Sequence, residues 1–179
     1  MSAFNSRWRY PAVLILVVLS GLTSGCGLTQ SISDGTSAMT KAIFYKQIKT
    51  LQLDFIARAS VNPDEEGASL ATDVWVYQMK DRKVFDQTDY QTLLTQASTV
   101  LKEDILSGKD VRVRPDTGAT LNMTMEKEAM YVAVVAHFRT PDLQKESWRL
   151  IVPREDLNPD APLKIVLEGN VLQLKAKKE

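Results

Sequence analysis

Leu51-Gln52-Leu53-Asp54-Phe55-Ile56-Ala57-Arg58-Ala59 alternates apolar and polar side chains, with Ile56 the one departure. A period of two is that of a strand with one buried face. Ser60-Val61-Asn62-Pro63-Asp64-Glu65-Glu66-Gly67-Ala68-Ser69 follows and breaks the alternation. Asn62-Pro63 opens a turn and Gly67 relaxes one, so this stretch reads as a loop. Its ten residues are long for a link between neighbouring strands, which usually takes about 2–5 in a hairpin. Thr72 to Met79 then resumes strand character, with Val74 and Val76 opposite Trp75 and Tyr77.

Downstream, one segment changes period. Tyr90, Leu93, Leu94, Ala97, Leu101 and Ile105 recur at three and four, which predicts an amphipathic helix. Asp86 or Thr88 can cap its start and Gly108 can end it. Val111–Arg114, Ala119–Met125, Tyr131–Arg139, Ser147–Val152, Leu163–Glu168 and Val171–Ala176 read as further strands. Gly169-Asn170 is a two-residue hairpin turn between the last two. The expected fold is mainly β: an eight-stranded β-sandwich with one inserted amphipathic helix and a protruding loop between the first two strands.

The chain has 179 residues, with 22 basic and 22 acidic side chains and a net charge of zero. A nucleic-acid binder would need a basic surplus, so nucleic acid is not an expected partner. One Cys excludes an internal disulfide, and one His excludes a His-rich metal site.

The N-terminus reads as an export signal. Arg7 and Arg9 form a basic start, Ala12 to Leu19 is a short apolar run, and small residues lead to Cys26. The run is too short to span a membrane, which takes about 20 residues, and has the length of a signal-peptide core. Thr23-Ser24-Gly25-Cys26 resembles a bacterial lipobox, with Thr23 where an aliphatic residue is usual. The expected organisation is a lipoprotein signal peptide over 1–25, a lipid anchor and tether over 26–49 with Cys26 as the lipid-attachment residue, and a periplasmic sandwich over 50–179. A short helix over Ala38–Ile43, capped by Ser37, is expected within the tether. Several acyl chains at roughly 0.8 kcal/mol per methylene make a stable anchor. Lipoprotein sorting by the residue after Cys26, here Gly27, implies the outer membrane.

Little of the body suggests chemistry. His137 shares a strand face with Val135 and Arg139 and reads as a half-buried packing residue. Asp64-Glu65-Glu66 is a solvated loop tip, since adjacent carboxylates in a loop hold no fixed acid–base separation. It lacks the oxygen spacing of a Ca²⁺ loop. Lys80-Asp81-Arg82-Lys83 reads as a charged turn. Trp75, Tyr77, Phe138 and Trp148 read as sandwich core. No catalytic residue, cofactor, metal or small-molecule substrate is expected.

Several stretches in order point further: Ala59-Ser60-Val61-Asn62-Pro63-Asp64, Val74-Trp75-Val76-Tyr77-Gln78-Met79-Lys80, Leu101 to Leu106, Val134 to Arg139, and Trp148-Arg149-Leu150-Ile151-Val152. Together with the lipobox they resemble the TssJ (SciN) lipoproteins of type VI secretion systems. The resemblance implies a transthyretin-like sandwich. It implies a scaffold under the outer membrane that binds the periplasmic part of TssM, an inner-membrane protein, with TssL in the same complex. It also implies that the protruding loop is the partner contact, here Asn62, Pro63, Asp64, Glu65, Glu66 and Gly67.

Overall fold

The computed structural model describes residues 48–175. The signal segment, Cys26, the helix expected over Ala38–Ile43 and Ala176 of the last expected strand lie outside the described residues. Within them, eight strands form two sheets. The strands are β1 Thr50–Ala57, β2 Thr72–Met79, β3 Ile105–Val113, β4 Gly118–Thr124, β5 Tyr131–Ala136, β6 Arg149–Pro153, β7 Leu163–Glu168 and β8 Val171–Leu174. One sheet runs β4-β1-β7-β8 and the other β3-β2-β5-β6.

The alternation in β1 puts Leu51, Leu53, Phe55 and Ala57 in the core, each nearly inaccessible to solvent. They meet Leu121 of β4 across an antiparallel ladder and Ile165 and Leu167 of β7 across a parallel one. Val74 and Val76 of β2, with Val132 and Val134 of β5, close the layer from the second sheet. Burying each such side chain contributes about 1.5–3 kcal/mol. Gln78 lies in the same layer, fully buried and bonded at both its nitrogen and its oxygen: its amide donates to the Thr124 carbonyl at 2.8 Å and accepts from the Glu126 N–H at 2.7 Å. A buried amide paired at both ends carries no desolvation debt and stitches the two sheets together.

The helical region differs from expectation. Helix α1 (Lys83–Gln87) begins in the stretch read as a charged turn, and α2 (Tyr90–Val100) is shorter than its periodicity suggested. Asp89 caps α2, accepting from the Thr92 N–H at 3.0 Å and the Thr92 hydroxyl at 2.7 Å. Asp86 lies inside α1, and Thr88 ends it. Leu101 and Ile105 keep the apolar spacing without the helix. Leu101 is fully buried in the turn after α2, and Ile105 opens β3 opposite Met79. Gly108 is not a helix stop; it lies in β3 opposite Tyr77, where an added Cβ would sit 3.0 Å from the Tyr77 ring.

Trp75 and Tyr77 are also placed differently. They face away from the sandwich interior and stack on one another, centroids 6.1 Å apart, bordering the cleft under Leu93 and Ala97 of α2. The sheet containing β2 is thus covered on both faces, which is why its aromatic residues are not inter-sheet core. Trp148 is buried and meets Tyr90 of α2 edge-on at 4.9 Å; Phe138 is buried and its carbonyl accepts from the Tyr90 hydroxyl at 2.6 Å. Strand β5 stops at Ala136, short of the expected Arg139, and β6 begins at Arg149 rather than Ser147.

Candidate functional site

Strand β1 runs from Thr50 to Ala57, so the chain enters the sandwich beside Ile48 at one end and leaves β1 at the other. The second end gathers the 58–71 loop, the β5–β6 connection over 137–148 and the Gly169-Asn170 turn.

Asn62 joins these three segments. It is buried, at 4% exposure, with φ +47°, a left-handed conformation that Asn tolerates better than most residues. Its N–H donates to the Gly169 carbonyl at 2.7 Å. Its side-chain oxygen accepts from the Arg139 N–H at 2.7 Å, and its side-chain NH₂ donates to the Ala71 carbonyl at 3.4 Å. The Leu70 N–H returns to the Asn62 carbonyl at 3.2 Å. Val61, fully buried, fills the space beneath.

Above this base stands a small hairpin. Pro63 and Ser69 form an antiparallel bridge, and the Asp64 N–H donates to the Ala68 carbonyl at 2.9 Å. The Asp64 carboxylate accepts from the N–H groups of Glu66 at 3.1 Å and Ala68 at 2.7 Å, so it organises the turn it starts. Gly67 takes φ +83°, which suits glycine. Glu65, Glu66 and Gly67 form the exposed tip. Glu65 reaches the Arg139 guanidinium at 2.7 Å, both side chains more than half exposed. The loop therefore separates into a buried base, Asn62; a shoulder, Pro63 and Asp64; and a tip. Arg139 and Gly169 were not among the expected site residues. Their partner in the loop is Asn62, 77 positions from Arg139, and no local pattern marks such a pair.

His137 lies beside this end on the outer face, half-buried and stacked on Trp75 at 6.1 Å. Burial pushes its imidazole below the ordinary value of 6.5, and the nearby Asp73 carboxylate only partly offsets this. Asp73 is taken by a two-point pair with Arg112, both contacts 2.7 Å, which holds its carboxyl below the usual range against the opposing effect of burial. Asp73 is therefore engaged with a cation rather than orienting the imidazole as a base. Among the described residues no group of three or more His, Cys, Asp or Glu side chains is placed to hold a metal, and no helix is long and apolar enough to cross a membrane.

The architecture is a two-sheet sandwich body that carries an ordered loop at one end. A model of the family described as type VI secretion lipoprotein, VasD, EvfM, TssJ, VC_A0113 matches residues 49–170, and the chain belongs to this family of secretion lipoproteins, which is structural rather than enzymatic. A chain in a solved structure described as T6SS protein TssM C-terminal domain (869-1107) from EAEC is 37% identical, with TM-score 0.67; the match covers 73% of this chain and all of that one. A chain in a structure described as a type VI membrane complex is 39% identical, with TM-score 0.70 and the same coverage. The T6SS lipoprotein TssJ1 from Pseudomonas aeruginosa, 19% identical over 74% of this chain and all of its own, shares the fold with TM-score 0.60. The comparison with curated protein sequences gives no match.

Proposed function

We propose that this chain is an outer-membrane lipoprotein that anchors and scaffolds the type VI secretion membrane complex by binding the periplasmic C-terminal domain of a TssM-like inner-membrane protein. One observation carries the reading: a relative at 37% identity, matched over its whole length, occurs in a structure described by the TssM C-terminal domain. The anchor is Cys26, with 1–25 as signal peptide and 26–49 as tether to a body over 50–179. Mass spectrometry of the mature N-terminus should find Cys26 acylated, and Cys26→Ser should release a folded body from the membrane. An unmodified thiol on Cys26 would contradict the anchor.

The contact is the loop over Asn62–Gly67, divided by role: Asn62 sets the base, Pro63 and Asp64 form the shoulder, and Glu65 to Gly67 present the tip. Replacing Asp64–Ala68 by a two-residue Asn-Gly turn keeps Asn62, Pro63 and the Pro63–Ser69 pairing, so the fold should survive. Titration of the lipid-free body with the partner domain should then show at least tenfold weaker binding, about 1.4 kcal/mol. Equal affinity for the shortened and intact loops would place the contact elsewhere.

A further inference from the structure

We propose that the partner contact is a composite face in which the polar loop tip is flanked by three exposed apolar side chains, Leu70, Leu143 and Val171; this rests on the partner reading above. The tip cannot supply a strong contact by itself. The loop from Pro63 to Ser69 carries three carboxylates, with Asp64 engaged by the turn's own N–H groups and Glu65 by Arg139, and no large apolar side chain beyond proline. Protein interfaces draw most of their affinity from a few desolvated apolar or aromatic anchors, with polar groups around them.

Side chains able to act as anchors lie in and next to the segments that meet at this end. Six large apolar side chains stand exposed among the described residues: Leu70, Val84, Met130, Leu143, Val171 and Leu174. Leu70 and Leu143 belong to two of the segments that Asn62 draws together, and Val171 opens β8 directly after the third. Leu70 (36% exposed) closes the loop and bonds back to Asn62, and Val171 (37%) follows the turn whose Gly169 carbonyl receives the Asn62 N–H. Leu143 (63%) lies in the 137–148 connection, which Asn62 holds at Arg139. Met130 and Leu174 lie at the end where the chain enters, and Val84 lies on α1.

The face is built before any partner arrives. The Asp142 carboxylate accepts from the N–H groups of Gln144 at 3.0 Å and Lys145 at 2.9 Å, fixing the turn that carries Leu143. The Ser147 carbonyl accepts from the Leu172 N–H at 2.6 Å and ties that connection to the start of β8. A surface ordered in advance loses little freedom on binding. The occupant is the partner's periplasmic domain, presenting an apolar patch that takes Leu143 and polar groups that meet the tip.

Three variants of the purified lipid-free body test this by titration with a TssM C-terminal domain: Leu143→Asp, Leu70→Asp and, at the opposite end, Met130→Asp. Thermal melts check that each is folded. Leu143→Asp and Leu70→Asp should each weaken binding at least tenfold, and Met130→Asp by less than twofold. If the wild type binds and all three variants bind equally well, the composite face is wrong while the partner reading stands. If the wild type does not bind, the partner reading fails and the face with it. If sedimentation instead shows that the wild type self-associates and Leu143→Asp abolishes this, the occupant is a second copy and the proposal is overturned.

Discussion

Asn62 has its side chain inside the protein, between the buried Val61 and the exposed tip of the loop. Two physical terms meet there: a part-buried bond from the N–H of Arg139 that needs its acceptor, and a positive φ that most side chains resist. Asn62→Ala removes the acceptor and keeps the strained backbone, so it should cost about 2–4 kcal/mol. Asn62→Gly relieves the backbone alone and should cost less. Urea unfolding of both variants checks the order; an alanine variant as stable as wild type would remove Asn62 as the base of the loop. Nothing near Asn62 in the sequence distinguishes it from a solvated turn residue, because its bonds close over long separations. His137 gives a second residue-scale test. Its folded-state value lies below the ordinary 6.5, so the unfolded chain binds the proton first as pH falls. Its contribution to stability is complete above about pH 6.5 and declines as pH drops toward the lowered folded value. Between pH 7.5 and 5.5 the wild type should lose stability that His137→Gln does not lose. Parallel pH profiles in the two proteins would contradict this.

At the scale of elements, the strands were legible where one face meets the core and the other meets water. β1 is such a strand, and its alternation holds through Ala57; Ala59, read as its last inward residue, lies exposed beyond the end of the strand. β2 is covered on both faces, so alternation told which residues share a side but not which side is the interior; Trp75 and Tyr77 lie under α2. The periodicity after Tyr90 misled for a related reason. Leu101 and Ile105 are apolar because they pack in the layer beneath α2, while the backbone between them has already turned into β3. The parallel pairing of β1 with β7 has no sequence signal, since register across such a separation is set by the assembled core. Arg149 shows what keeps the short helix in place. Its guanidinium donates to the carbonyls of Phe85 at 2.8 Å, Thr88 at 3.0 Å and Asp86 at 3.0 Å, and pairs with Glu146 at 2.6 Å. A five-residue helix lacks the length to stand alone and depends on such contacts. Arg149→Met retains much of the apolar stem but orphans those carbonyls, which should cost about 2–3 kcal/mol. Hydrogen exchange should show Asp86 and Thr88 amides losing protection before those of β1 and β2. Unchanged exchange at α1 would mean that Arg149 does not hold it.

Across the whole molecule, the entry of the chain and the protruding loop lie at opposite ends of the strands. β1 alone, eight residues at about 3.3 Å each, separates them by roughly 25 Å. The family, the sandwich and the oversized loop were readable from the residues; the division of that loop into a buried base and an exposed tip was not, because Asn62 and Glu66 are both polar residues in one turn-rich stretch. The direct test of this polarity is site-specific photo-crosslinking in cells making the full lipoprotein. A photoreactive residue in place of Glu66 should capture the TssM-like protein, and one in place of Lys127, exposed at the entry end, should not. Capture from position 127 but not from position 66 would contradict the assignment of the loop end as the binding end.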